Sequence, residues 1–156
     1  MLALHVITVG RDKEIWVSAQ IDHYRKMIGK YARLELTTVP ESPYGKKADL
    51  AKALVQEADV VRSRLKGGCL IALAVEGKSW STEKLAEEIQ KIQNAGRSLI
   101  EFIVGGPYGI DASLKRQADL CLSLSPLTVS HQIARLVLME QLYRVLNLAA
   151  GGQYHK

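Results

Sequence analysis

Long apolar runs, paired cysteines and nucleotide-binding glycine motifs are all missing from this 156-residue chain, and each absence removes a class of protein. No stretch approaches the roughly 20 consecutive apolar residues that a membrane helix needs. The first residues, MLALHVITVGRDKE, place no basic segment ahead of their short apolar run, so a cytoplasmic protein is expected. Only two cysteines occur, Cys69 and Cys121, and neither has a second cysteine or a histidine at metal-ligand spacing. Both lead into apolar runs (CLIALAV and CLSL), which predicts two buried thiols and no metal site. With four prolines, 47% apolar and 24% charged residues, the composition excludes disordered, collagenous and low-complexity scaffolds. There is no repeat, linker or heptad array, and the length suits one domain over residues 1–156.

Functional motifs are equally sparse. The first apolar run ends in VGRDKE instead of opening a G-x-G-x-x-G turn, and neither a Walker A nor a G-x-S-x-G sequence occurs. An NAD enzyme, a P-loop NTPase and a serine hydrolase therefore lose their support. A phosphoreceiver module needs acids clustered at strand ends, where only Glu76 falls. The net charge is +5, and +4 of it lies in the first 66 residues, which hold 12 Lys and Arg against 8 acids. Arg25, Lys26, Lys30, Arg33, Lys46 and Lys47 form either a phosphate-facing patch or a solvated face. Residues 40–47, PESPYGKK, read as an exposed loop.

What the chain does contain is alternation. Apolar, β-branched runs at 3–9, 34–39, 70–75, 99–104 and 120–124 predict five strands, and helical patterns separate them. This predicts an α/β fold with a mainly parallel sheet flanked by helices. Val17, Ile21, Tyr24, Ile28 and Tyr31 share one helical face, as do Leu50, Leu54, Ala58, Val61 and Leu65, and then Leu85, Ile89 and Ile92. Ser81 is placed to cap the third helix and Gly96 to end it, and 111–118 predicts a short fourth helix. The fifth, about 131–148, spreads its apolar residues around most of the cylinder. That spread predicts a second subunit covering it.

In such sheets ligands collect beyond the carboxyl ends of the strands, where this chain reads VEGKSW, VGGPYGI and LSPLTVSH. Gly105, Gly106 and Gly109 let backbone approach a ligand closely, or simply make a tight turn. His5 in a strand and His23 on a helix read as packed or surface residues. His131, at the start of the last helix, is the histidine best placed to exchange a proton at such a site.

Together the segments IALAVEGKSWS, FIVGGPYGI, LSLSPLTVSHQIARLVLMEQLYR and the terminal YHK resemble, in order and spacing, the ribosomal large subunit methyltransferase H family over essentially the whole chain. The resemblance implies a SPOUT-like fold with a C-terminal deep trefoil knot, although chains as a rule do not thread themselves. It further implies a homodimer, S-adenosylmethionine as methyl donor, and N3 of a pseudouridine in 23S ribosomal RNA of the assembled ribosome or large subunit as acceptor. The family's donor site falls on Leu73, Gly105, Leu124, Ser125, Pro126, Leu127, Thr128 and Val129, with Gly106 and Gly109 shaping the turn. His131 and His155 are the implied proton acceptors, Tyr154 orients the base, and Arg135 holds phosphate or the substrate loop. An ordered C-terminal tail, brought by the other subunit, is part of this expectation. Ser130 and Gln153 stand where relatives commonly carry proline, which predicts looser backbone in both catalytic segments. The alternatives are a catalytically silent ribosome-binding assembly factor of the same fold and a small nucleotide-binding module.

Overall fold

The computed structural model describes residues 1–43 and 49–154. Its centre is a parallel sheet of β1 (Ala3–Val9), β2 (Arg33–Val39), β3 (Cys69–Ser79), β4 (Leu99–Val104) and β5 (Leu120–Ser123) in the order β2-β1-β4-β3-β5. Both β1 and β4 are buried along almost their whole length, as expected of central parallel strands covered on two faces. β2, an edge strand, carries exposed and half-buried positions up to the buried Val39.

Five helices cover the sheet: α1 (Ile15–Ile28), α2 (Leu50–Arg64), α3 (Thr82–Asn94), α4 (Ala112–Gln117) and α5 (His131–Ala149). On one face Val17, Ile21, Leu85, Ile89, Leu138 and Leu142 pack with Leu4, Val6, Ile100 and Phe102. On the other, Ala58, Val61 and Leu114 meet Ile7, Ile103 and Ala72. Helix starts follow their capping residues. The Ser81 hydroxyl accepts the Lys84 N–H at 3.2 Å, and Asp111 accepts that of Ser113 at 2.9 Å.

Two expectations need revision. β3 does not stop at 75 but continues to Ser79, with a register shift between Leu73 and Lys78 against β5 that makes residues 74–77 leave the ladder. α5 lies between α1 and α3 of the same chain, which cover part of its apolar surface and leave Val137 exposed and Ile133 and Leu136 half-buried. Leu138, Met139, Leu142, Val145 and Leu146 are all buried there. Cys69 is buried, and burial pushes its thiol up, but Cys121 is only half-buried.

His5 is a core residue. Its Nδ1 lies 3.0 Å from Glu101 Oε2 and its Nε2 lies 2.9 Å from Thr37 Oγ1. The Glu101 carboxylate also accepts the backbone N–H groups of Lys66 and Gly68, so this buried acid is fully partnered. No helix among the described residues is long and apolar enough to cross a membrane.

Candidate functional site

A cavity of about 750 Å³ opens at the carboxyl ends of β3, β4 and β5, and three separated stretches of chain build it. The first is the end of β3, where Leu73 and the residues leaving the ladder, Ala74, Val75 and Glu76, form one wall. The second is the turn after β4. Gly109 N–H donates to the Gly106 carbonyl at 3.0 Å, closing the turn around Pro107 and Tyr108. Gly109 has φ of +84°, which a side chain would strain, and a Cβ on Gly105 would lie 2.7 Å from the Gly109 backbone. Both glycines are therefore demanded by the shape of the turn.

The third stretch is the loop from β5 to α5. Ser125 Oγ accepts the Leu127 N–H at 3.0 Å, and Ser123 Oγ donates to the Ser125 carbonyl at 3.0 Å, so this loop is braced by its own side chains. Ser130, expected to leave the backbone looser than a proline would, restrains the chain in another way: its hydroxyl accepts the Ile133 N–H at 3.3 Å and caps α5.

Nine of the ten expected donor-site residues line the cavity: Leu73, Gly105, Gly106, Gly109, Leu124, Ser125, Leu127, Thr128 and Val129. Pro126 does not line it. Among the expected catalytic residues, His131 lines the cavity, and its Nε2 is buried without a partner among the described residues. Arg135, one turn further along α5, is turned inward and paired with Asp12 at 2.5 Å. Tyr154 lies beyond the far end of α5, a helix of 19 residues and so about 28 Å long. His155 lies outside the described residues, as do Tyr44, Lys46 and Lys47 of the expected loop and patch. Arg25, Lys26 and Arg33 sit at the amino-terminal end of the sheet, opposite the cavity.

Three lining residues are not among the expected site residues: Ile110, which ends the FIVGGPYGI segment, Lys115 within α4, and Ala134 in the first turn of α5. Helical register is the signal for Ala134, which lies three residues from His131 and shares its face. Lys115 Nζ lies 2.5 Å from Glu76 Oε1 and holds that carboxyl below the usual range, so the charges lining the cavity neutralise each other. The remaining walls are mostly apolar side chains and backbone, with Tyr108, Ser125, Thr128, Ser130 and His131 as the other polar residues. Such a lining suits a neutral heteroaromatic ring with a short polar chain and offers no cradle for phosphate.

The family model described as Predicted SPOUT methyltransferase matches residues 2–155. The chain belongs to the SPOUT methyltransferase family. Proteins named Ribosomal RNA large subunit methyltransferase H match it end to end: that of Streptococcus suis is 36% identical over 99% of this chain and 100% of its own, and that of Acetivibrio thermocellus is 37% identical over the same shares. This SPOUT methyltransferase is a member of that family too. The fold is shared with a probable methyltransferase from Bordetella pertussis (TM-score 0.57, 12% identity, 92% of this chain and 93% of that one). It is also shared with a putative methyltransferase from Legionella pneumophila in complex with the bound cofactor SAM (TM-score 0.52, 15% identity, 95% and 66%). Membership of the SPOUT fold implies the trefoil knot, which the strand order alone does not define.

Proposed function

We propose that this protein is a single-domain, homodimeric, cytoplasmic methyltransferase that uses S-adenosylmethionine to methylate N3 of a pseudouridine in 23S ribosomal RNA of the assembled ribosome or large subunit. One observation carries the reading: three segments far apart in sequence meet in one largely apolar cavity, in a chain alike over its full length to proteins named Ribosomal RNA large subunit methyltransferase H.

The donor fits the cavity, whose volume lies within the range of small-ligand sites. Leu73, Leu124, Leu127 and Val129 supply apolar walls, and the backbone at Gly105, Gly106 and Ser125 meets the polar edge of an adenine and the amino-acid end. S-adenosylmethionine, when bound, supplies a methyl group activated by its sulfonium sulfur. The chain's own contribution is chiefly to hold donor and acceptor in line, because displacement at carbon depends on approach and alignment. N3 of the acceptor must also lose its proton. His131 Nε2, at the cavity wall and without a partner among the described residues, takes it, or His155 of the tail does. Tyr154 orients the acceptor ring.

The tail that carries Tyr154 leaves α5 at the end remote from its own cavity, which supports delivery to the cavity of a second copy. Leu127, 72% exposed, and the exposed Val129, Val137 and Tyr108 give the neighbourhood of that cavity an apolar surface for the second copy to cover. A chain this small then reads structured RNA through shape and phosphate contacts, so activity falls steeply with salt.

The deciding experiment incubates labelled S-adenosylmethionine with ribosomes from a strain lacking its own enzyme and maps the modified nucleoside. Label on N3 of a single pseudouridine, in ribosomes or large subunits and not in free RNA, is the expected result. Label on another nucleoside overturns the substrate assignment, and ribosome binding without transfer returns the silent assembly factor.

A further inference from the structure

The last turn of α5 holds a polar device that the reaction described above does not use. Asn147 is 8% exposed, yet both ends of its amide are engaged. Nδ2 donates to the Tyr31 hydroxyl at 2.9 Å, and Oδ1 accepts the backbone N–H of Tyr154 at 3.0 Å. The Asn147 carbonyl accepts the Gly152 N–H at 2.8 Å. A Cβ on Gly152 would overlap the Asn147 amide, so the chain turns around this side chain with only a hydrogen facing it. The Tyr154 ring then sits edge-on against Tyr143, with centroids 4.6 Å apart. Arg144 lies 4.8 Å from the centre of the Tyr154 ring and donates to the Tyr154 carbonyl at 3.0 Å.

A chain end of this length is ordinarily frayed. This one is gripped at the residue before His155, by a side chain rooted in the helix and backed by Tyr31 from the segment after α1. We infer that Asn147 is a positioning residue for the C-terminal tail: the Tyr31–Asn147–Tyr154 chain of hydrogen bonds, with Gly152 packed against it, sets the direction in which the reactive end leaves the helix. The inference rests on the proposed function, in which that end acts on the acceptor in a neighbouring copy. Asparagine suits the task because one side chain supplies a donor and an acceptor together. Alanine supplies neither, whereas aspartate keeps the acceptor for Tyr154 and can take a hydrogen bond from the Tyr31 hydroxyl.

The test uses the full-length protein and three readouts: amide hydrogen exchange in the C-terminal peptide, S-adenosylmethionine affinity by calorimetry, and steady-state transfer to ribosomes. In Asn147→Ala the tail amides lose protection, donor affinity holds, and kcat falls about tenfold with the KM for the donor unchanged. Asn147→Asp restores both protection and turnover. Gly152→Ala reproduces the alanine phenotype by displacing the Asn147 amide while leaving every hydrogen-bonding side chain in the sequence, and so keeps the test open if Asn147→Ala folds poorly. Free exchange of the tail with kcat retained overturns the inference, as does an Asn147→Asp protein that is protected but as slow as Asn147→Ala. Deletion of residues 154–156 separates the two levels. Unchanged turnover there rejects any role for the tail, whereas loss of turnover there with an active Asn147→Ala rejects only the positioning role.

Discussion

Asp12 and Arg135 join the loop after β1 to the second turn of α5 across 123 residues of sequence, with N···O at 2.5 Å and side chains 8% and 7% exposed. Asp12→Ala leaves a guanidinium in that environment without its counter-charge, and Arg135 Nε has no partner among the described residues to begin with. Cutting one side of a buried pair costs about 3–5 kcal/mol. In a chain of this size each kcal/mol moves the thermal midpoint by about 2–4 °C, so a fall of about 6–20 °C is expected. The double replacement Asp12→Leu with Arg135→Met removes both charges and should recover most of the loss, because what hurts is the orphaned charge more than the missing attraction. Thermal melts and urea titrations of the two singles and the double, at matched concentration, give the cycle. Donor affinity measured alongside should fall with Asp12→Ala, since His131 sits one turn before Arg135. A cost below about 1 kcal/mol, the range of exposed pairs, refutes the reasoning, as does a double variant no better than the single.

Gly105→Ala places a Cβ 2.7 Å from the Gly109 backbone and 2.8 Å from Ile110 Cγ1, so the turn must open. S-adenosylmethionine affinity should fall at least about tenfold by calorimetry with the circular dichroism unchanged, and an unaltered Kd removes the turn from the donor site. The Asp119 carboxyl is held below its usual value by the Leu70 N–H, which donates to it at 2.7 Å, and then by Arg97. Because its folded value is depressed, the stability it contributes is present above the ordinary carboxylate range and is lost as pH falls through the lowered value. Asp119→Asn should therefore flatten the acid limb of the stability profile, and an unchanged slope below about pH 4 counts against the linkage. Burial, and then a hydrogen bond with Tyr154, push the Tyr24 hydroxyl up to about 12. Its contribution is complete below the ordinary value of 10.0 and is lost as pH rises through about 12. Tyrosinate absorbance should show a late step that Tyr24→Phe removes.

Much of this architecture can be read from the chain because β1 and β4 are central. Their uninterrupted apolar character follows from burial on both faces, and the ranges 3–9 and 99–104 match the strands residue for residue. β3 was harder. Glu76, Gly77 and Lys78 carry no strand pattern, and the strand reaches Ser79 only because pairing with β5 resumes after the excursion at 74–77. α5 is legible only in part. A helix apolar on most sides needs cover, but sequence periodicity does not say whether the cover comes from two helices of its own chain or from another chain. In the site, the glycine turn and the loop at 124–129 are legible from their composition. The pairing of Arg135 with Asp12 is not, since Asp12 sits in no pattern and 123 residues separate the two. The contribution of Ser130 was hidden by comparison with proline, for a hydroxyl that caps a helix restrains the chain as a ring would.

The cavity takes its last wall from Ala134, and the helix bearing it is pinned to a loop near the very start of the chain. Synthesis runs the other way: β1 and β2 emerge long before the segment that anchors to them exists. A nascent polypeptide stopped between residues 124 and 130 would own every strand of the sheet and still lack the helix that completes the cavity, because contacts this distant form late and slowly. The cavity is therefore completed only once α5 has emerged and docked against the loop after β1.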